Sequence, residues 1–334
     1  MFCHSFEPYK NEIMNHTVNP TDPCPRALFI AGPTASGKSA IALAVAKHVN
    51  GCIINADSMQ VYDTLQVLSA RPSAADMAQA PHHLYGHVAA GAAYSVGAWQ
   101  KHAMAAIAAA HAAGQVPILV GGTGLYFKSL LDGIAEIPQT PDAIRATVRA
   151  RLQADGAPAL HAALAQIDPE LASRLPPQDG QRIARGLEVF EATQQKLSVW
   201  QQQKTPSPLD FEVAKICLMP DRAWLYARCD RRFSTMLESG GLEEVRALMG
   251  LQLAPDSPVM KALGVPELRA YLAEEISLDT AVSQAQQQTR RYAKRQMTWF
   301  RNQMVAWEAF NEQDYEHNPN KIFSFISKIG LTSG

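Results

Sequence analysis

Ala27-Leu28-Phe29-Ile30-Ala31-Gly32-Pro33-Thr34-Ala35-Ser36-Gly37-Lys38-Ser39 is the stretch that decides the fold. Its five leading apolar residues predict a strand buried on both faces. The eight that follow fit the phosphate-loop pattern G-x-x-x-x-G-K-S/T, and residues 39–49 then carry the small and apolar spacing of a packed helix. Strand, glycine loop and helix in succession are the context in which that pattern binds phosphate. The glycines let backbone N–H groups wrap a polyphosphate, Lys38 neutralises its charge, and the Ser39 hydroxyl is suited to ligate Mg²⁺. Gly32, Pro33, Thr34, Ala35, Ser36, Gly37, Lys38 and Ser39 are therefore the candidate diphosphate site, with Ser39 the candidate metal ligand. The loop indicates a diphosphate or a triphosphate without distinguishing them.

Outward from this loop, a second apolar run at 52–56 ends in Asp57-Ser58. A third, at 116–120, follows an alanine-rich helix near 99–113 and ends in Gly121-Gly122-Thr123-Gly124. Continuous apolar strands alternating with helices predict an α/β fold: a phosphate-loop core, 26–137, with a buried parallel sheet and helices on both faces. From Pro138 the pattern turns helical, broken at Gly156-Ala157-Pro158, Asp168-Pro169, Pro176-Pro177 and 201–208. Residues 138–205 read as a helical insertion. The chain returns to the core over 206–310, through a strand at 211–218 and long helices around 222–249 and 278–306. Residues 1–25 read as an irregular extension and 311–334 as a C-terminal tail.

Composition narrows the class. The 334 residues are 47% apolar and 18% charged, the profile of an ordered globular protein. A net charge of −1 gives no global attraction to nucleic acid, so a polyanionic partner needs a local basic surface. Five scattered cysteines lack the spacing of a zinc site or a redox pair and read as reduced thiols. The first residues lack a secretory pattern, and the alanine-rich stretch at 103–113 is too short at the ~20 residues a membrane helix requires. A cytoplasmic protein without a membrane partner is expected, and a monomer, because no assembly signal is visible.

A kinase or NTPase is the ordinary reading of such a loop, but it normally places a second acid at the end of a hydrophobic strand to help hold the metal. Here the strand at 116–120 ends in glycines and threonine. The acid stands instead after the second strand, at Asp57, where a carboxylate beside a diphosphate is placed to accept a proton from a nucleophile. The plainer alternative for Asp57 is a helix N-cap or an outer partner of a bound metal.

Several motifs in order resemble the tRNA dimethylallyltransferase (tRNA isopentenyltransferase) family. They are the loop Gly32 to Ser39; Asp57-Ser58-Met59-Gln60-Val61-Tyr62; Pro81-His82-His83-Leu84; Gly121-Gly122-Thr123-Gly124-Leu125-Tyr126; Gln181-Arg182-Ile183-Ala184-Arg185-Gly186-Leu187-Glu188-Val189; and the stretch from Thr289 to Arg301. The resemblance spans about 27–307. It implies a phosphate-loop core that binds dimethylallyl diphosphate instead of ATP, an insertion that grips the tRNA anticodon stem-loop, and prenylation of the adenosine amine immediately 3′ of the anticodon. It further implies Asp57 as general base, Thr34 against the bridging oxygen of the leaving diphosphate, and Lys38 and Ser39 holding diphosphate and Mg²⁺. Thr123, Arg145 and the segments Asp57-Ser58-Met59-Gln60 and Gln181-Arg182-Ile183-Ala184-Arg185 align with the family's tRNA contacts. Departures are Leu68-Ser69-Ala70-Arg71-Pro72, where many members read G-T-A-K-P, and Gly264-Val265-Pro266-Glu267, where G-Y-K/R-E is frequent. The 334 residues show no zinc-finger pattern of the kind that many eukaryotic members carry, so a bacterial-type member is expected.

Basic residues are concentrated in predicted helices at Arg145, Arg149 and Arg151, at Arg182 and Arg185, and at Arg290, Arg291, Lys294, Arg295 and Arg301. As a set they read as a phosphate-tracking surface; singly, as solvated helix faces. Arg228 and Arg232, one helical turn apart, are further candidates to reach the diphosphate, as Arg290, Lys294 and Arg295 are to reach diphosphate or tRNA. A small-molecule kinase and a non-catalytic RNA-binding switch are the competing readings.

Overall fold

The computed structural model describes residues 26–331 apart from 204, 256, 312 and 314–318; the extension expected over 1–25 lies outside them. The first part of the chain runs β1 (Ala27–Ala31), α1 (Lys38–His48), β2 (Gly51–Asn55), α2 (Ala74–Met77), β3 (His82–His83), α3 (Val96–Ala112), β4 (Val116–Gly121) and α4 (Gly124–Asp132). Four helices follow: α5 (Asp142–Ile167), α6 (Pro169–Arg174), α7 (Gly180–Thr193) and α8 (Leu197–Gln202). The chain then returns through β5 (Val213–Leu218), α9 (Arg222–Glu238), α10 (Gly241–Gly250), α11 (Val265–Leu272), α12 (Leu278–Gln303), β6 (Glu308–Phe310) and α13 (Asn320–Lys328).

The six strands form one parallel sheet in the order β3-β2-β4-β1-β5-β6. The period of two along β1 divides the core. Leu28 and Ile30 face α1 and α13, meeting Ile41, Val45, Ile322 and Ile326. Ala27, Phe29 and Ala31 face the other way, into a cluster with Trp99, Ile107, Phe127 and Phe300. Both faces are covered, which is why the strands read as unbroken apolar runs. From β1 the chain crosses to β2 and β4 on one side and to β5 on the other, so the carboxyl end of β1 opens at a reversal of direction, where ligands bind in such sheets.

Helices α5 to α8 enclose a hydrophobic cluster of their own around Val148, Leu164, Ile183 and Leu187. The glycine-proline break falls inside α5, where Gly156 has φ 79° and the helix kinks. At the next break the buried Asp168 carboxylate accepts from the amides of Leu171 (3.1 Å) and Ser198 (2.9 Å), capping α6 and tying α8 to it.

Three local expectations are corrected. The helix expected over 222–249 is two helices, because Gly240 takes φ 98° and turns the chain between α9 and α10. The helix expected to reach 306 ends at Gln303, and β6 follows as a three-residue edge strand too short for periodicity to reveal. Residues read as a tail include α13, whose Ile322 and Ile326 sit one turn apart and pack under α1, with Phe323 stacked on His48 at 4.7 Å. No described helix is long and apolar enough to cross a membrane.

Trp99 links this core to the loops above it. It is fully buried, stacks on Tyr126 at 4.2 Å, and donates its indole N–H to the Asn55 carbonyl at 2.9 Å. Trp99→Ala is expected to lower the unfolding free energy by about 3–5 kcal/mol, read from urea denaturation; a loss below about 1 kcal/mol would mean that the site collapses without it.

Candidate active site

Three loops meet at the carboxyl end of the sheet, after β1, β2 and β4. The first is the phosphate loop. Its curvature requires left-handed backbone at Ala35 (φ 62°) and Gly37 (φ 86°), and Gly37 delivers the chain into α1 without a side-chain cap. The first amides of α1 are thus left without intrahelical partners, facing the loop. The Ala35 methyl is buried among Leu225, Cys229, Ala293 and Met297, so α9 and α12 support the loop from behind.

Above the loop lies an open hollow of about 520 Å³ lined by Lys38, Ser39, Arg228, Arg231 and Arg232, with Ala70 at its rim. Arg228 and Arg232 both touch the loop itself: Arg228 Nε donates to the Ala35 carbonyl at 3.0 Å with its guanidinium over the Trp224 ring, and Arg232 donates to Thr34 Oγ1 at 3.3 Å. Lys38 Nζ bonds the Pro33 carbonyl at 3.2 Å. Burial pulls the Lys38 ammonium from its ordinary 10.5 down to about 8; the Asp57 charge opposes that shift and Arg232 adds to it. Burial also pulls the Arg232 guanidinium down, against the opposing influence of Cys229 and Asp57. Cations held so close would be relieved by an anion, which is the ligand chemistry that this lining favours.

The second loop presents Asp57. Asn55, a buried polar residue at the end of apolar β2, holds the turn: its Nδ2 donates to the carbonyls of Asp57 and Leu84, both at 3.0 Å, and its Oδ1 accepts from the Asp57 amide at 2.9 Å. Asp57 Oδ1 accepts from the amides of Met59 (2.9 Å) and Gln60 (3.4 Å), while Oδ2 accepts no hydrogen bond from the described residues. One oxygen therefore caps the turn and the other is open to a ligand. The helix cap expected from sequence is corrected to a turn cap, because no helix follows Asp57. Burial, then the Asp57 charge, push the phenols of Tyr85 and Tyr292 up and keep them neutral.

The third loop supplies Thr123, whose Oγ1 accepts from the Ser58 amide at 3.0 Å. Thr123 thereby braces the Asp57 turn, and Gln60 braces the rim, donating to the carbonyls of Ser69 (2.9 Å) and Ala70 (2.8 Å). The cation of Arg71 is spent within this rim on Gln66 Oε1 and the Tyr62 carbonyl. The rim is further held by Glu244 of α10, whose carboxylate accepts from the amides of Gln66, Val67 and Leu68.

The remaining candidates stand elsewhere. Arg145, paired with Asp142 at 3.2 Å, and Gln181, Arg182 and Arg185 belong to the α5–α8 unit. Arg182 is exposed beside Asp179, and Arg185 donates to Thr140 Oγ1 at 2.8 Å. Ile183 and Ala184 require a correction: they are 0% and 4% exposed in the core of that unit, because helical spacing turns them inward while Gln181 and Arg182 turn out. Arg290 is engaged by Asp230 across α9 and α12. Lys294 and Arg295 line a second hollow of about 480 Å³ along α12, with Arg291, Thr298 and Trp299. Arg231 and Asn55 were not singled out from sequence, although a polar residue closing an apolar strand is a signal, since it must find partners when buried.

The IPP transferase family profile matches residues 60–303. The tRNA dimethylallyltransferase of Parvibaculum lavamentivorans is 52% identical over 93% of this chain and 99% of its own, and that of Rhizobium leguminosarum bv. trifolii is 52% identical over 84% and 96%. Among solved structures, the full-length tRNA isopentenylpyrophosphate transferase of Bacillus halodurans superposes with a TM-score of 0.66 at 32% identity, covering 91% of this chain and 97% of that one. A eukaryotic dimethylallyltransferase acting on tRNA gives 0.76 at 26% identity, covering 91% and 79%. This chain belongs to the IPP transferase family, the family of the tRNA dimethylallyltransferases.

Proposed function

We infer that this chain transfers a dimethylallyl group from dimethylallyl diphosphate to the exocyclic amine of the adenosine 3′ of the tRNA anticodon, releasing diphosphate. The observation that carries this reading is the pairing of a cation-lined phosphate loop with a carboxylate, Asp57, that keeps one oxygen open beside it. A single chain supplies every group named below, so a monomer suffices.

The adenine amine is a weak nucleophile because its lone pair is delocalised into the ring. As it attacks the allylic carbon, its proton passes to Asp57 Oδ2, the carbon–nitrogen bond forms, and the carbon–oxygen bond breaks with its electron pair leaving on diphosphate. Charge grows on oxygens already faced by Lys38, Arg228, Arg232 and the α1 amides, which stabilise the departing group. Thr34 Oγ1, accepting from Arg232, keeps its own proton for the bridging oxygen. Mg²⁺ draws mainly on substrate phosphate oxygens and water, and the Ser39 hydroxyl, which lines the hollow, would be its protein ligand. When bound, the ion neutralises charge developing on the diphosphate. The basic residues of α5, α7 and α12 provide the surface for the anticodon stem-loop, whose unstacked loop base reaches the site at lower cost than a paired one.

The deciding experiment incubates the protein with Mg²⁺, unmodified tRNA and labelled dimethylallyl diphosphate, with ATP in parallel. Label should enter the RNA without ATP; ATP hydrolysis without labelling would establish a kinase instead. Because Asp57 Oδ1 also caps its turn, Asp57→Asn is the informative variant: it keeps an acceptor for the Met59 amide and removes the base. It should reduce kcat by about 10²–10⁴ with tRNA affinity unchanged, and near-normal turnover would exclude Asp57 as the base. An organic diphosphate raises the Lys38 pKa from about 8 towards its ordinary value. Binding should therefore take up a proton at pH 8.5 and weaken as pH rises through 8, measured by titration calorimetry in buffers of different ionisation enthalpy. Lys38→Met should abolish the uptake. Replacing Arg182 and Lys294 by glutamine should flatten the salt dependence of tRNA binding by about one unit of slope per lost phosphate contact.

A further inference from the structure

Gln296 lies on α12, more than 170 residues from either of the loops it touches, and is 6% exposed. Its Oε1 accepts from the Thr34 amide at 2.8 Å, and its Nε2 donates to the Gly122 carbonyl at 2.9 Å. Both partners are backbone groups of fixed polarity: an N–H can only donate and a C=O can only accept. The side chain between them must therefore both accept and donate, which an amide does and an ionised carboxylate does not. The approach is close enough that a Cβ on Gly122 would stand 2.3 Å from Nε2. Helix α12 holds the amide rigidly, because the neighbouring Ala293 and Met297 pack under Ala35 of the phosphate loop.

The bridge continues beyond Gly122. The next residue, Thr123, donates its amide to the Ala56 carbonyl at 3.2 Å and accepts the Ser58 amide on Oγ1 at 3.0 Å, on either side of Asp57. Thr34, at the other end, carries the hydroxyl that Arg232 orients. One amide side chain thus joins the loop that holds the leaving group to the turn that holds the base.

We propose that Gln296 is a positioning residue that sets the separation between the phosphate loop and the Asp57 turn. This rests on the prenyl-transfer reading for its kinetic consequence, but not for its structural one. A misplacement of about 1 Å between reacting groups costs on the order of 10²-fold in rate. The hydrogen bonds of Gln296 go to backbone groups and not to the cations of the hollow, so the affinity for diphosphate and tRNA depends on it less than the chemical step does.

The test compares wild type with Gln296→Glu and Gln296→Met, the first nearly isosteric and the second of similar volume without hydrogen bonding. Amide hydrogen exchange at Thr34, at 121–123 and at 56–60, corrected for intrinsic rates, needs no turnover. Both variants should lose protection there at pH 8. Gln296→Glu alone should regain it as pH falls through the glutamate pKa, since a protonated carboxyl can again accept from Thr34 and donate to Gly122. With tRNA and dimethylallyl diphosphate, kcat per folded molecule should fall about 10- to 100-fold while the tRNA KM stays within about two-fold. Unchanged protection in both variants, or Glu and Met variants that behave alike at every pH, would overturn the proposal. So would turnover within two-fold of wild type in Gln296→Glu at pH 8. If wild type itself transfers no prenyl group, the exchange result still decides the positioning role, and the reading of the reaction fails separately.

Discussion

Cations gathered out of water repel one another and lose hydration, and the region around Lys38 is built on that unfavourable condition. Lys38, Arg228 and Arg232, all partly buried, converge on one hollow that the exposed Arg231 also lines, with Asp57 as a carboxylate that acts on both Lys38 and Arg232. The depressed Lys38 pKa expresses the imbalance. A protein tolerates such an arrangement where a ligand restores the balance, and the ligand chemistry that would do so is a polyanion. The rest of the fold can be understood as what is needed to hold these groups against their repulsion: a rigid sheet beneath, two helices behind the loop, and aromatic support for Arg228 from Trp224.

The parallel sheet makes this possible because it sends the ends of β1, β2 and β4 to the same edge. A fixed register between neighbouring strands, Ala31 beside Gly121 and Asn55 beside Val120, brings loops distant in sequence to within hydrogen-bonding distance. Asp57 then faces Lys38 without being adjacent to it in the chain. The same carboxylate serves two purposes, capping its own turn with one oxygen and offering the other. The hydrogen bonds that hold Oδ1 thereby also fix the direction of Oδ2.

The α5–α8 unit shows the division between support and contact within a single motif. Gln181-Arg182-Ile183-Ala184-Arg185 is contiguous in sequence, yet the helix sends its second pair into the core and the others towards solvent. A motif identifies a segment, and the 3.6-residue period decides which of its members can meet a partner. Ser69 and Arg71 show the same separation: the hydroxyl and the cation are retained, and both are spent inside the rim loop, on the Leu65 carbonyl, Gln66 and Tyr62.

What the sequence determined by itself is local. The phosphate loop, the apolar strands on either side of it, the acid after β2 and the parallel α/β class are all encoded in contiguous residues, because strand burial, left-handed turns and helix starts are set by near neighbours along the chain. Only the tertiary structure decided that Arg228 and Arg232 of α9 bond that loop at Ala35 and Thr34, that Asn55 rather than a neighbour holds the Asp57 turn, that Ile183 and Ala184 face inward, and that residues 320–328 complete the core beneath α1. It alone joined Gln296 to Thr34, across 262 residues. Such contacts depend on strand order and helix packing, and a backbone amide that needs a partner carries no mark in the sequence of which distant side chain will supply it.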